Sequence, residues 1–281
     1  MTAPTGAAPR LMAIFAHPDD ETFGVGGTFA RATAAGHICA ALSATRGEEG
    51  EISDPTLATP ENLGEVREQE LRAACAAVGV HDVAFLDYRD GHLAEAAEAE
   101  AVGRIVAQLR RFRPDVVVTF AANGLYGHPD HMAILRLTLA AIPAAADATH
   151  YPTLGATPHR VRKVYLQTVP REGLLQMLAA EREAGRDFIP GGNAATIPVT
   201  EMGMPMADIT TSLDLTDEEL RRKQTAMHAH RTQLPPDDSF LNGTPAELRR
   251  RMGTEFYILL PPPLSDQVYP TPETDLFSGL A

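Results

Sequence analysis

The chain has 281 residues, of which 44% are hydrophobic and 22% charged, and it carries a formal net charge of -13 at pH 7. This composition is ordinary for a globular enzyme, and the length is enough to bury a large core. The negative charge argues against nucleic acid and anionic membranes as partners, because both favour a basic surface. The two cysteines, Cys39 and Cys75, form no CxxC motif, so we expect buried thiols in a reducing compartment.

No segment has the features of a signal peptide, and no apolar run approaches the ~20 residues that a membrane-spanning helix needs. We therefore expect a cytoplasmic protein without a membrane partner. The whole chain, residues 1–281, is predicted to be one domain. Residues 1–9 are rich in proline, glycine and other small residues and are predicted to be a flexible tail, and residues 261–281 form a Pro-rich C-terminal tail. Assembly into a homo-oligomer is left open.

The first half of the chain alternates apolar strands with amphipathic helices. This alternation predicts an α/β fold with a Rossmann-like, mostly parallel sheet and helices on both faces. Strands are predicted at 10–16, 37–45, 83–86 and 115–120, and helices at 25–36, 62–78, 94–112 and 129–141.

After Pro143 the pattern becomes less regular. Long loops are predicted at 143–160 and 186–212, and the fold is expected to carry long loops at the carboxyl end of the strands. Such loops serve either as lids and pocket walls or as irregular surface, and both interpretations stay open. The remaining predicted elements are strands at 161–169 and 255–260 and helices at 172–184 and 216–231.

Two clusters of ionisable residues follow predicted strands. The first is 16–21 (AHPDDE), and the second is 128–131 (HPDH). Ligands of parallel sheets bind outside the carboxyl ends of the strands, where the strand order reverses. Pro18 and Pro129 suit the first position of a helical turn, where a missing N–H costs nothing. One His-Pro-Asp is a common turn, but two copies at strand ends hold more ionisable groups than helix capping requires, which indicates a shared functional site.

The two clusters together contain the ligands of a hydrolytic metal ion. Zinc in such a site needs about three protein ligands, usually histidine and carboxylate, and an open position for water. His17 and Asp20 from the first cluster and His131 from the second would supply two imidazoles and one carboxylate.

Catalytic groups remain after these ligands are assigned. Asp19 is the natural general base, because its neighbour Asp20 is committed to the metal. His128, as an imidazolium, would polarise the substrate oxygen or protonate a leaving amine. Asp130 would orient His128 and raise its pKa. Tyr126 offers a further donor to an oxyanion.

Other glycine and histidine patterns have structural explanations. The Gly24-x-Gly26 pair lacks a third glycine at position 29, which is Phe29, so a dinucleotide fingerprint is absent. His228 and His230 fall in a charged predicted helix, for which the solvated face is the default expectation.

The motifs resemble the PIG-L/LmbE-like superfamily of zinc-dependent N-acetylglucosaminyl deacetylases, which includes deacetylases of the mycothiol and bacillithiol pathways. The resemblance rests on residues 16–21 and on 126–131 (YGHPDH). It is supported by 46–51 (RGEEGE), by Arg67-x-x-Glu70-Leu71 and by His230-x-x-Gln233.

The resemblance implies roles for ten residues. The implied ligands of Zn²⁺, with Fe²⁺ as the open alternative, are His17, Asp20 and His131. The implied catalytic residues are the base Asp19, the imidazole His128, its partner Asp130 and the mobile oxyanion contact Tyr126. The implied contacts to the sugar or its aglycone are Arg67, Glu51 and Asp90.

The expected function is hydrolysis of the N-acetyl group of a small GlcNAc conjugate, a low-molecular-weight thiol precursor such as GlcNAc-malate or GlcNAc-inositol. An amidase of thiol conjugates and a deacetylase of another N-acyl sugar or antibiotic remain alternatives. Two histidines and one carboxylate also hold Fe(II) in oxygenases, although those sites usually lie on antiparallel barrels. A non-catalytic metal or sugar-binding module would have no need of Asp19 or His128.

Overall fold

The computed structural model describes residues 8–183, 185, 190–238 and 240–280, so residues 1–7 of the predicted tail and 186–189 of the predicted loop lie outside it. The strands of this part of the chain form one seven-stranded sheet. They are β1 (Arg10–Phe15), β2 (Ile38–Ser43), β3 (Asp82–Phe85), β4 (Val116–Phe120), β5 (Lys163–Thr168), β6 (Thr211–Asp214) and β7 (Thr254–Leu259).

Helices connect most of these strands, as the alternating pattern predicts. They are α1 (Asp20–Ala34), α2 (Leu63–Ala77), α3 (Glu98–Phe112), the single turn α4 (Gly124–Gly127), α5 (Pro129–Ala146), α6 (Arg171–Glu183), α7 (Asp217–Met227) and α8 (Pro245–Met252).

The sheet has the strand order β3-β2-β1-β4-β5-β7-β6, and β1 to β5 are parallel, so the predicted α/β fold is confirmed. Right-handed crossovers place α1 and α2 on one face and α3 and α5 on the other. The packing agrees, because α7 contacts both α1 and α2 while α3 packs on α5. The order of the strands reverses between β1 and β4, which are the strands that precede the two clusters.

An antiparallel edge extends the sheet beyond β5. There β7 runs antiparallel to β5, and β6 runs antiparallel to β7. Two elements are not predicted from the sequence: helix α8, and strand β6, whose four residues are too few to show an alternating pattern. The start of α8 does have a local signal, because Thr244 and Glu247 form a capping box around Pro245.

Several helix boundaries differ from the predicted ones, and two of these differences concern the helices that begin at the clusters. Helix α1 begins at Asp20 rather than near 25, so the first cluster is part of the helix start. Helix α5 continues through Pro143 to Ala146 instead of ending near 141. An internal proline costs about 3 kcal/mol, but Ile142 and Ala145 on either side of it are buried, and their burial offsets that cost.

The C-terminal segment, residues 261–280, packs against the body of the protein. Tyr269, Leu276 and Leu280 are buried in the main core. Glu273 accepts a 2.6 Å bond from Nζ of the buried Lys163 on β5. In the part of the chain that the structure describes, every helix is too short or too polar to cross a bilayer.

A buried ion pair ties α7 and β7 to α1. Lys223 Nζ lies 2.7 Å from Glu255 Oε1, and both side chains are at most 3% exposed. Glu255 also accepts hydrogen bonds from the main-chain N–H groups of Gly27 and Thr28 at 2.8 Å. This carboxylate therefore anchors the middle of α1, the helix whose first turn carries Asp20.

We expect Lys223→Met to lower the free energy of unfolding by about 3 kcal/mol, because it leaves a buried carboxylate without its cation. Urea denaturation followed by circular dichroism would measure the loss. Arg221→Met is the matched control on the same helix, since Arg221 forms an exposed pair with Glu218 that contributes about 0–1 kcal/mol. Equal losses in the two variants would contradict the role given to Lys223.

Candidate active site

The two clusters meet at the point where the strand order reverses. Because β1 and β4 are adjacent and parallel, their carboxyl ends place His17 and His131 side by side. The His131 Nε2 atom lies 3.2 Å from His17 Nδ1. Both histidines are buried, with exposed fractions of 8% and 0%.

His17, Asp20 and His131 form a compact set of donor atoms. Asp20 carboxylate oxygens lie 3.5 Å from His17 Nδ1 and 3.4 Å from His131 Nε2. His131 Nδ1 donates to the carbonyl of Gly124 at 3.0 Å, which leaves the lone pair of Nε2 directed at the site. Two imidazole nitrogens and one carboxylate are a donor set that suits Zn²⁺ or Fe²⁺.

The far side of the His17 ring faces two more carboxylates. His17 Nε2 lies 2.9 Å from Asp90 Oδ1, an ionic contact rather than a well-aligned hydrogen bond, and 3.5 Å from Asp130 Oδ2. A carboxylate behind a metal-binding histidine fixes the tautomer that leaves the other nitrogen free. His17 would therefore bind an ion through Nδ1.

Two groups of three residues bring one possible ligand atom from each residue within 4.8 Å of one another. One replaces Asp20 by His128, and the other joins His17 to Asp90 and Asp130. The first lacks a carboxylate, and the second lies on the Nε2 side of His17, away from His131. The set of His17, Asp20 and His131 fits a divalent ion better than either group.

The charge of the site favours a cation. Burial opposes ionisation of Asp20, but the rings of His131 and His17 hold its pKa well below the ordinary value. Burial also opposes charge on His17, yet the carboxylates around it raise its pKa well above the ordinary value. Burial lowers the pKa of His131 to about 4, so its ring is neutral and free to bind a metal. The protein thus holds excess negative charge that a divalent ion would neutralise.

Asp19 has a strained backbone. Its φ is 114° and its ψ is -34°, a region that residues with a Cβ rarely adopt. It is the N-cap of α1, but its side chain does not cap the helix, and Pro18 lies outside the helix. The carboxylate instead lies 3.2 Å from Arg67 Nη2 and is 20% exposed. Burial raises the pKa of Asp19 to about 6, and Arg67 opposes that shift.

Arg67 joins the first cluster to the loop at 46–51. Its guanidinium donates to the carbonyl of Pro18 at 2.6 Å and to that of Gly47 at 2.7 Å. A Cβ at Gly47 would lie 2.2 Å from Arg67 Nη1, and one at Gly50 would lie 2.5 Å from it. The two glycines of RGEEGE therefore leave space for a buried arginine, which explains their spacing.

His128 and Asp130 are not paired as expected. Asp130 is fully buried, and its carboxylate accepts from the N–H groups of Gly91 at 2.8 Å and Leu93 at 3.1 Å, on the side of His17. The expectation that the Asp130 carboxylate pairs with the His128 ring is wrong, because that carboxylate lies against His17. Asp130 contacts the His128 ring through its main-chain N–H instead.

His128 is the N-cap of α5. Its Nδ1 accepts the N–H of Asp130 at 3.1 Å, so its proton is on Nε2. Burial, with help from His17, holds the pKa of His128 below its ordinary value. His128 is therefore a neutral Nε2–H donor rather than the expected imidazolium.

Tyr126 stands next to the two histidines of the second cluster. Its ring centroid is 5.0 Å from that of His131 and 6.1 Å from that of His128. Burial raises the pKa of the Tyr126 hydroxyl, and Asp20 adds to the shift, so the phenol stays protonated. The preceding residue, Leu125, has a positive φ of 68°, which turns the chain sharply before the cluster.

Residues 190–206 form a wall beside Tyr126. The ring packs so closely that a Cβ at Gly191 would lie 2.4 Å from it. Thr196 N–H donates to the carbonyl of Tyr126 at 3.0 Å, and Gly203 N–H donates to that of Leu125 at 3.1 Å. This part of the predicted loop is therefore a wall of the site rather than irregular surface.

The wall also reaches the loop at 46–51. Asn193 Nδ2 lies 3.2 Å from Oε1 of the exposed Glu51, and Gln233 Nε2 donates to the Glu51 carbonyl at 2.9 Å. Glu51 thus stands on the rim, whereas Asp90 lies deep against His17. Burial opposes the charge of Asp90, but the His17 contact lowers its pKa to about 2.

Three buried residues next to Asp19 were not predicted from the sequence to belong to the site. They are Glu21, Thr22 and His230. His230 was assigned to a solvated face, which is wrong, since α7 ends at Met227 and His230 is 0% exposed beneath the start of α1. Periodicity cannot place a residue beyond the helix end, and the His230-x-x-Gln233 spacing was the available signal.

Known proteins resemble this chain over most of its length. The family model "PIG-L: GlcNAc-PI de-N-acetylase" matches residues 12–142. A 1D-myo-inositol 2-acetamido-2-deoxy-alpha-D-glucopyranoside deacetylase from Geodermatophilus obscurus is 37% identical, covering 89% of this chain and 92% of the relative. A protein of the same name from Thermobifida fusca is 36% identical, covering 96% of this chain and 99% of the relative.

Solved structures agree on the fold. N,N'-diacetylchitobiose deacetylase from Pyrococcus horikoshii superposes with a TM-score of 0.65 at 21% identity, covering 90% of this chain and 84% of that one. The 4-carboxy-2-hydroxymuconate hydratase GalB from Pseudomonas putida gives 0.59 at 17% identity, covering 93% and 100%. The fold alone therefore does not fix the reaction. The sequence relatives do fix the family: the chain belongs to the PIG-L (GlcNAc-PI de-N-acetylase) family.

Proposed function

We propose that this protein is a metal-dependent hydrolase. Its substrate is a small molecule, GlcNAc linked to inositol, from which it removes the N-acetyl group. The observation that carries the proposal is that the carboxylates of two adjacent aspartates face different partners. Asp20 lies with His17 and His131 in a donor set for one ion, while the strained backbone of Asp19 turns its carboxylate away from that set and from helix capping.

The roles of the residues follow from their positions. His17, Asp20 and His131 would hold Zn²⁺ or Fe²⁺, with Asp90 and Asp130 behind His17. A bound ion would supply Lewis acidity, which lowers the pKa of water and polarises a carbonyl. Asp19 accepts the proton of the attacking water, and Arg67 holds the Asp19 carboxylate in place.

Two hydrogen-bond donors, His128 of the second cluster and Tyr126 beside it, are placed to bind the substrate. His128 directs a neutral Nε2–H at the site, and Tyr126 carries a protonated hydroxyl beside it. Both can donate to the oxygen that becomes negative when the amide carbonyl is attacked. Asp19 then passes the proton taken from water to the departing amine, which regenerates its carboxylate, while His128 keeps its Nε2 proton as a hydrogen-bond donor.

The charges around the site favour a substrate whose aglycone is uncharged. The arginines around the loop at 46–51 are already engaged: Arg46 with Glu68 at 2.7 Å, and Arg89 with Glu49. The net charge of -13 adds a field that repels anions. These features favour inositol over malate, in agreement with the substrate named in the relatives' descriptions. Glu51 and Asn193 on the rim are the proposed contacts to this aglycone.

We expect Asp19→Asn to keep the metal and to lower kcat about 10²–10⁴-fold, because it removes the general base but no ligand. His131→Ala should lose the metal itself. Metal content by atomic emission and acetate release by a coupled assay would measure the two effects. Full turnover in Asp19→Asn, or undiminished metal in His131→Ala, would refute the assignment.

Asp130→Asn tests which histidine Asp130 serves. Since its carboxylate lies against His17, we expect the affinity for the metal to fall about 10–100-fold. Competition with a chelator gives this affinity without any assay of activity. His128→Gln is the matched variant, and it should bind the metal as the unmodified protein does. An unchanged affinity for the metal in Asp130→Asn would mean that Asp130 supports His128 rather than His17.

The aglycone is tested with two substrates that share the GlcNAc group. We expect kcat/KM for GlcNAc-inositol to exceed that for GlcNAc-malate at least about tenfold, which is ~1.4 kcal/mol of discrimination. Release of acetate from both compounds would be followed at equal enzyme and metal concentrations. A preference for the malate conjugate would contradict the argument from charge, and cleavage of a thiol-conjugate amide alone would favour an amidase.

A further inference from the structure

His230 lies beneath the first turn of α1, although it is more than 200 residues away in sequence. Its ring is 0% exposed, and its Nε2 lies 3.1 Å from Thr22 Oγ1 and 3.4 Å from Glu21 Oε1. Glu21 and Thr22 are themselves buried, with exposed fractions of 4% and 2%. A polar group of three residues at this depth is costly unless every bond in it is satisfied.

The direction of the hydrogen bonds can be worked out. The Thr22 hydroxyl donates its one proton to Glu21 Oε1. Its oxygen must therefore accept from His230, which places a proton on Nε2. The second nitrogen, Nδ1, is buried and makes no hydrogen bond to the residues that the structure describes. A histidine needed only for packing would not be expected to carry this unsatisfied atom.

The chain of bonds ends at Asp19. The second oxygen of Glu21, Oε2, accepts the main-chain N–H of Asp19 at 3.1 Å. This is the peptide group at which the backbone has its φ of 114°. Such a conformation is costly and persists only where its surroundings hold it. Glu21 can hold it only while its own carboxylate is fixed.

Arg67 holds the same residue from the other side. It bonds to the carbonyl of Pro18 and to the carboxylate of Asp19. Removing Arg67 would change the charge next to the reacting carboxylate. Removing His230 would leave that charge in place and affect only how firmly the backbone is held.

We propose that His230 is a positioning residue that acts through Thr22 and Glu21 to hold Asp19 in its strained backbone conformation. The proposal rests on the function proposed for Asp19. It predicts that the loss of His230 lowers kcat while KM and the metal content stay the same, since neither substrate nor metal is touched. A shift of a reacting group by about 1 Å can cost on the order of 10²-fold in rate.

The main experiment is a double-mutant cycle between His230→Leu and Asp19→Asn in the zinc-loaded protein. We expect His230→Leu to lower kcat about 10–100-fold in the unmodified protein and to have no further effect when Asp19 is already asparagine. The same factor in both backgrounds would overturn the proposal. His230→Gln, whose amide can still donate to Thr22, should recover part of the loss, and it replaces His230→Leu if that variant does not fold.

A second readout does not depend on activity. Hydrogen exchange of the Asp19 amide, measured by NMR in the zinc-loaded protein, should be at least about tenfold faster in His230→Leu. His228→Leu is the control, because His228 is half-buried at the end of α7 and should leave this amide unchanged. Unchanged exchange in His230→Leu would reject the role of His230. An unmodified protein that releases no acetate would instead reject the proposed function, so the two failures are distinguishable.

Discussion

A positive φ at a residue with a Cβ is energetically costly. At Asp19 this conformation directs the carboxylate away from the carboxylate of the neighbouring Asp20. In an ordinary helix start, the N-cap aspartate would bend back to the helix N–H groups. The φ of 114° prevents that, so Asp20 faces the histidines while Asp19 faces Arg67. Arg67, Gly47 and Gly50 are arranged around this one peptide. The loop at 46–51 is thus linked to Asp19 through the Gly47 carbonyl, which binds Arg67.

The charges of the buried carboxylates are the second constraint on the site. Helices α1 and α5 both begin at the site, so the positive ends of two helix dipoles converge on a group of buried carboxylates. These partial charges stabilise the carboxylates but do not neutralise them. The buried charge of the site therefore favours a cation, inside a protein whose formal net charge is -13. Burial raises the pKa of both aspartates, but at Asp20 the rings of His131 and His17 outweigh burial, so the two pKa values shift in opposite directions.

The sequence was informative where the chemistry is local. Buried parallel strands read as apolar runs, and two His-Pro-Asp clusters after such strands had to meet at the reversal of strand order. The sequence does not reveal which residues the side chains of the site contact in the folded protein. Asp130 follows His128 by two residues, yet its carboxylate contacts His17, because that choice depends on how the β3 exit loop packs. His230 was missed for the same reason, since its partners are about 208 residues away. The short edge strand β6 has too few residues for a pattern.

The wall at residues 190–206 is attached largely through main-chain groups. Its N–H groups at Thr196 and Gly203 bond to the carbonyls of Tyr126 and Leu125. Bonds of this kind do not depend on which side chains the wall carries. Away from Gly191, which packs against the Tyr126 ring, the wall can therefore accumulate substitutions without loss of its position, whereas the residues of the two clusters cannot. Divergence of substrate preference within the same chemistry would be expected to begin in this segment.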